Sequence, residues 1–301
     1  MTTVPHDESP TILSDDVALP EGPLLLPDGT WMVTELDPRR GTVSRLGPGG
    51  REAIAETGRP NGLARTADGS IWVAESLRPS LVRIDLDGAK EAVLTGVEGE
   101  PLLWPNDLCI GPDGALYVTD SGLLVGDLLT DIPANEVSLE WESLPIDGKI
   151  VRFDPASGEA TILDRGYRFT NGIAFGPDGA LYVAESYSGE IYRCEFEAGR
   201  LGPREPWANV REPDFPEPGM RGPDGMAFSE DGRLWVAVFR QGDITVLLPD
   251  GSVERRIPLA GRSPTNVAFG PPGDTRIYIT ETETNTLESR EVGVGGLPLH
   301  S

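Results

Sequence analysis

The chain has 301 residues and 38% hydrophobic content, enough for one large all-β domain or two ordinary ones. Its 37 glycines and 28 prolines suit short strands joined by many turns. A net charge of −24 sets it against nucleic acid and anionic membrane surfaces as partners.

In chain order, six copies of one phrase appear: a polar residue, a small residue, an aliphatic pair, a Pro/Asp-Gly turn and an aromatic-aliphatic run. The first is Glu21–Leu36 (EGPLLLPDGTWMVTEL). The second, Asn61–Ser76, is followed by two strand-like tracts, Leu81–Asp85 and Glu91–Leu94. The third, Asn106–Ser121, runs into a long stretch to Gly148 before the tracts Lys149–Asp154 and Ala160–Leu163. In the fourth, Asn171–Ser186, Gly172–Phe175 reads as a short buried strand. The turn at 177–179 combines a proline-fixed φ with a glycine that accepts positive φ, and Ala180–Glu185 is rich in β-formers. Glu190–Cys194 supplies a third strand there, and the Pro-rich connection 211–222 leads to the fifth copy, Asp224–Phe239, with its third strand Asp243–Leu247. The sixth, Thr265–Glu281, is followed by a weaker strand over Thr286–Val292.

Pro and Gly punctuate these segments too often for helices. Four antiparallel strands per unit, with starts roughly 40 to 65 residues apart, predict an all-β, six-bladed β-propeller occupying 1–301 as a single domain. A closed ring needs its ends to meet, so Ser9–Ser14 is expected to add the missing fourth strand to the last blade, with residues 1–8 flexible. Cys109 and Cys194 fall in separate strands, which argues for two packed thiols rather than a disulfide. The polar opening MTTVPHDESP has no apolar signal segment, and no run reaches the roughly 20 apolar residues that span a bilayer. A cytoplasmic protein without a membrane partner is the expectation.

In such a ring the first strand of each blade is innermost. The opening residues Glu21, Asn61, Asn106, Asn171, Asp224 and Thr265 should therefore meet at one mouth of the central channel. The apolar stretch 121–148 should form a lid or pocket wall over that mouth, and 211–222 should border it. Taken singly, an Asn-Gly or Asp-Gly pair is an ordinary turn signal. Four oxygen donors at equivalent places in a repeat (Glu21, Asn106, Asn171 and Asp224) point instead to a hard divalent cation. Ca²⁺ fits first, with Mg²⁺, Mn²⁺ or Zn²⁺ as alternatives. A structural zinc would call for Cys or His ligands, which are not placed to serve. Asn61 and Thr265 share the register as lining residues. Glu35, Glu75, Asp120, Glu185 and Glu281 end second strands toward the same face, as solvated rim charges, second-shell groups or alternative bases. Trp31, Trp72 and Trp235, in mid-strand, are assigned to the core.

The motifs Glu21-Gly-Pro23, Pro105-Asn106-Asp107, Asn171-Gly172 with its Pro-Asp-Gly turn, and Pro223-Asp224-Gly225-Met226 leading to Leu234-Trp235-Val236 cover nearly the whole chain. Their order resembles that of the SMP-30/gluconolactonase family, calcium-dependent six-bladed propeller hydrolases. The resemblance implies that Glu21, Asn171 and Asp224 are metal ligands and that Asn106 is a ligand or a substrate contact. Two departures from the family stand out. Trp104 occupies a position where some sugar-lactone members carry Arg, and Glu75-Ser76 stands where bacterial sugar lactonases often carry His. With Phe169, Tyr187 and Phe239 as further substrate contacts, the pocket is expected to take a less polar substrate than an aldonolactone.

The expected reaction is metal-dependent hydrolysis of a cyclic ester, with Asp224 as general base or, alternatively, nucleophile. Phosphotriester hydrolysis on the same metal and a non-catalytic binding propeller are the competing readings. Histidine-dependent lyase chemistry is disfavoured, because His6 and His300 lie at the chain ends. A metal-free, strictosidine-synthase-like condensation is disfavoured by the intact oxygen-donor set.

Overall fold

Each of the six repeats forms a four-stranded antiparallel sheet in the computed structural model, which describes residues 9–300. The six sheets are arranged as a six-bladed β-propeller. Residues 1–8, expected to be flexible, fall outside the described residues. In the fourth blade the strands are Thr170–Phe175, Leu181–Glu185, Glu190–Glu197 and Arg200–Asn209, paired in sequence order. The sixth blade differs in its outer edge. Thr11–Ser14 pairs antiparallel with Thr286–Glu291, so the amino-terminal strand closes the ring as the sequence predicted.

The turn chemistry repeats with the strands. In every copy the aspartate of the turn accepts a backbone N–H two residues on: Asp28, Asp68, Asp113, Asp178, Asp231 and Asp274 bond the amides of Thr30, Ser70, Ala115, Ala180, Arg233 and Arg276. This is the Asx arrangement that lets a short polar side chain replace a backbone turn. Second strands such as Trp31–Glu35, Ile71–Glu75 and Leu181–Glu185 are buried along their whole length, because each is covered by neighbouring blades on both faces. The mid-strand tryptophans serve the core as expected. Trp31 meets Tyr278 at 4.3 Å, Trp72 meets Phe153 at 5.6 Å and Trp235 meets Phe269 at 5.8 Å, each contact joining adjacent blades. Such aromatic pairs add roughly 0.5–1.5 kcal/mol beyond their buried area. Cys109 and Cys194 are both free thiols.

The first strands (Pro20–Leu25, Pro60–Arg65, Pro105–Ile110, Thr170–Phe175, Gly222–Phe228 and Pro264–Phe269) crowd around the central axis. A methyl group on Gly172 would overlap the Asp224 carbonyl, and one on Gly225 would overlap the Asn266 side chain. One on Gly22 would lie 2.8 Å from the Asn61 carbonyl oxygen. Glycine follows the opening residue in four copies because the next blade leaves no room for a Cβ. Asp107 and Asn266 take that position in the other two.

Five acidic residues at the ends of second strands are neither solvated rim charges nor open bases. Glu35, Glu75, Asp120, Glu185 and Glu281 are all buried. Each clasps the backbone just ahead of a first strand, accepting N–H bonds from Ala18, Arg59, Leu103 and Trp104, Arg168, and Ser263 respectively. The fifth blade lacks an acid there, and Gln241 Oε1 accepts the Glu212 N–H instead. A buried carboxylate bonded to several amides holds a loop firmly, since breaking the set leaves both partners unpaired.

The crowded axis yields a stability prediction. Gly172→Ala should destabilise the protein by about 2 kcal/mol or more, the scale of overpacking a closed core. Gly126→Ala, where a methyl would meet nothing within 4 Å, should stay near wild type. Denaturant titration of the two variants checks this, and equal midpoints would remove the packing constraint from the account.

Candidate metal and active site

All six first strands slip register against their second strands at the opening residue. The irregularities fall at Glu21/Leu24, Pro60/Leu63, Pro105/Leu108, Thr170/Ile173, Pro223/Met226 and Pro264/Asn266. A bulge takes a residue off the ladder and re-aims its side chain. Repeated six times around an axis, it delivers six side chains to one cavity. Glu21, Asn61, Asn106, Asn171, Asp224 and Thr265 all line that cavity, with Trp104, Phe169, Phe239 and Arg59. Tyr187 is not among the lining residues. It stacks behind Phe169 at 5.5 Å between ring centres and packs edge-on against Trp141.

The amides of two opening residues are oriented from behind. Asn106 Nδ2 donates to Ser121 Oγ at 2.9 Å, and Asn171 Nδ2 donates to Ser186 Oγ at 3.2 Å. The two serines end equivalent second strands and are themselves tied to the next blade, donating to the carbonyls of Thr170 and Pro223 at 2.8 Å. With the NH₂ groups used in this way, both Asn side chains keep a carbonyl oxygen available as an acceptor. Glu21 Oε1 accepts from Asn266 Nδ2 at 2.9 Å, whereas the buried Glu21 Oε2 has no partner. Thr265 is spent on structure, its hydroxyl donating to the Pro20 carbonyl at 2.8 Å.

Charge in the cavity is unbalanced. Burial first, then the neighbouring Asp107 and Asp224, push the Glu21 carboxyl well above the usual carboxylate range. Burial and Asp107 do the same to Asp224, against hydrogen bonding from Asn171 and the charge of Arg59. Asp107, one position further along the channel, is raised by burial to about 7 in spite of bonds from the Leu108 and Ile173 amides. Buried carboxylates of this kind either hold protons or need a cation. Glu21, Asn171 and Asp224, with Asn106 beside them, make an oxygen-only donor set with one unpartnered carboxylate oxygen, a chemistry that fits a hard divalent ion.

Arg59 is a charged residue of the cavity wall that the sequence reading did not single out. It is 2% exposed. Its guanidinium donates to Ser76 Oγ and Asn135 Oδ1, both at 3.0 Å, and lies 5.1 Å from the Trp104 ring centre. Burial lowers its pKa to about 10, against the pull of Glu75, Asp224 and Glu21. The signal was present in the repeat. Trp104 stands two residues before its opening Asn, and the same register in the other copies gives Leu19, Arg59, Phe169, Gly222 and Ser263. This second ring lies just outside the first, and Arg59, Trp104, Phe169 and Gly222 reach the same cavity.

The 121–148 segment folds as a short helix (Val125–Leu128), a two-stranded hairpin (Leu129–Asp131 with Glu136–Val137) and a single 3₁₀ turn at Trp141–Ser143. Leu128, Leu129 and Val137 face the cavity, and they share an apolar cluster with Trp104, Phe169, Tyr187 and Met220. No helix among the described residues is long and apolar enough to cross a membrane.

Fold and site together define a six-bladed propeller carrying oxygen donors at the mouth of its central channel. The chain belongs to the SMP-30/gluconolactonase/LRE-like family, whose profile matches residues 19–283. A gluconolactonase of Zymomonas mobilis is 25% identical over 88% of this chain and 76% of its own. A 6-deoxy-6-sulfogluconolactonase of Pseudomonas putida is 36% identical over 46% of each chain. A diisopropyl-fluorophosphatase of Loligo vulgaris is 27% identical over 76% of this chain and 71% of its own. Two solved structures share the fold, each with a TM-score of 0.75. One is a gluconolactonase from Xanthomonas campestris (24% identity, 94% of this chain and 89% of that one), the other the calcium-binding protein regucalcin from Agrobacterium tumefaciens (20% identity, 97% of each).

The charge imbalance has a measurable consequence in protein freed of divalent ions. The raised carboxyls hold protons that the unfolded chain has already lost above about pH 4. The stability they contribute should therefore fall as pH rises from that range through the Asp107 value of about 7. Thermal melts of chelated protein should show this decline, and Glu21→Gln, which removes one of the repelling charges, should flatten it. An unchanged slope in the variant would contradict the proposed coupling.

Proposed function

We propose that this protein is a divalent-metal-dependent hydrolase of cyclic esters, with Ca²⁺ as the first candidate ion. The carrying observation is the convergence of Glu21, Asn106, Asn171 and Asp224 on one cavity. The Asn106 and Asn171 amide nitrogens donate to Ser121 and Ser186, and one Glu21 oxygen is left unpartnered. The lactonase relatives support the choice of substrate class.

Glu21, Asn171 and Asp224 hold the ion, and Asn106 Oδ1 serves it or the substrate. When bound, such an ion supplies a fixed positive charge for the oxygen of the attacked carbonyl and acidifies water nearby. Asp224 takes the proton of the attacking water on a carboxylate oxygen. Burial and the charge of Asp107 favour protonation there, and Asn171 and Arg59 keep the group in place. The C–O bond of the ring then breaks, the proton passes to the alkoxide that leaves, and a hydroxy acid is the product. Trp104, Phe169, Leu128, Leu129 and Val137 exclude bulk water, with the 121–148 segment acting as the pocket wall. Arg59, whose buried Nε has no partner, orients the polar end of the substrate against the Trp104 face.

Metal analysis and a substrate panel test this reading. The dialysed protein should retain a divalent ion, and chelation should abolish hydrolysis of neutral lactones until the ion is restored. Asp224→Ala should lower kcat/KM at least about 10²–10³-fold, the loss expected when an electrostatic stabiliser of the transition state goes, and should weaken metal binding. Full activity in that variant would exclude its role. Faster turnover of diisopropyl fluorophosphate than of every lactone would favour phosphotriester hydrolysis, the reading the squid relative supports.

A further inference from the structure

A second cavity of about 390 Å³ lies outside the first and shares Asn135, Met220 and Phe239 with it. Its wall is built from the 211–222 connection, the end of the second strand of the fifth blade, and the loop around Arg262. Three arginines line it (Arg221, Arg240 and Arg262), and their charges are satisfied very unequally.

Arg262 is engaged. Its side chain pairs with Glu217, and its backbone N–H donates to Glu283 Oε2 at 2.6 Å. Among the described residues Arg221 bonds only main-chain carbonyls, those of Glu212 at 3.3 Å and Glu217 at 3.4 Å, and its guanidinium lies 5.1 Å from the Phe215 ring centre. Its Nε is buried without a partner. Arg240 makes no hydrogen bond or ion pair among the described residues and rests 5.5 Å from the Phe239 ring centre. Its φ of +60° puts it in the left-handed region that a non-glycine residue seldom adopts. Burial and the charge of Arg262 both disfavour its protonated form, against the pull of Glu136.

Two guanidinium groups without a carboxylate partner therefore share one cavity in a protein of net charge −24. A nearby anion would relieve both. The planar, permanently charged donors of arginine suit a carboxylate or a phosphate, and Phe239 and Met220 continue the surface from these donors into the inner cavity.

We propose that the outer cavity recognises an anionic group, carboxylate or phosphate, carried by the substrate away from its reactive carbonyl. Arg240 is the main contact and Arg221 the second. Acidic lactones are then the preferred substrate class. This proposal rests on the lactonase reading of the inner cavity, so its test needs one readout that does not require turnover.

Hydrolysis of 6-phosphoglucono-δ-lactone and D-glucaro-1,4-lactone is compared with that of neutral glucono-δ-lactone in the metal-loaded protein. The wild type should prefer one or both anionic lactones, the two arms separating phosphate from carboxylate. Arg240→Met should lower the ratio of kcat/KM for the anionic over the neutral lactone by about tenfold or more through KM, the scale of one lost charge-assisted hydrogen bond. Arg240→Lys should restore part of it, and Arg221→Met should have a smaller effect in the same direction. By calorimetry, 6-phosphogluconate should bind more tightly than gluconate, and that difference should vanish in Arg240→Met. Ratios and binding differences unchanged by the substitution would overturn the proposal. Arg240-dependent anion binding without hydrolysis of any lactone would uphold the outer site and defeat the lactonase reading alone.

Discussion

The close approach of six first strands around one axis is the constraint on which the rest of this structure depends. At that radius a Cβ after the opening residue collides with the next blade at Gly22, Gly62, Gly172 and Gly225. Strands so confined cannot keep a regular ladder with their own neighbours, and each bulges at the same place. The bulge turns the opening side chain into the channel mouth, so packing at the axis and assembly of the site are one event. The hydroxyls of Thr119, Ser121, Ser186 and Thr265 then join one blade to the next by donating to first-strand carbonyls. Through these bonds the register of each donor depends on its neighbouring blade.

This packing creates an electrostatic problem. Glu21, Asp107 and Asp224 are drawn together in a poorly solvated space, where the buried Arg59 guanidinium offsets part of the charge of Asp224. Buried charge sets of this kind carry a desolvation cost that well-packed apolar residues avoid. The same economy governs the two cavities. The inner one concentrates carboxylate and amide oxygen, the outer one guanidinium groups, and the Phe239 surface separates them. A protein with a large negative net charge can in this way present positive potential over a few ångströms, because the contact terms outweigh a distant field screened within about 10 Å.

The repeat made the blade count, the strand order and the amino-terminal closure legible, because each rests on local periodicity and turn chemistry. The six opening residues were legible for the same reason, since equivalent positions in a closed repeat must converge. For the five acids that end second strands, the solvated-rim reading fails. Their residue type suits an exposed rim, and only the path of the preceding loop shows that each is buried against backbone amides. Arg59 escaped notice although its register had been used for Trp104, because an arginine before a proline carries no local mark of burial. Tyr187, expected at the pocket, stands behind Phe169 and does not line the cavity. The rings of Phe169 and Tyr187 stack, and a sequence does not show which of two stacked rings faces the cavity.

The linear chain alone determined what depends on short-range order: glycine where a turn or a crowded axis demands it, aspartate where a hairpin needs an internal acceptor, and one oxygen donor per copy in the right register. Only the tertiary structure decided which donors keep a free oxygen, which carboxyls are left without balancing charge, and which arginines remain unpaired. Those properties belong to contacts between blades. Desolvation and Coulomb coupling act through space between residues tens to hundreds of positions apart, and they have no counterpart in local pattern.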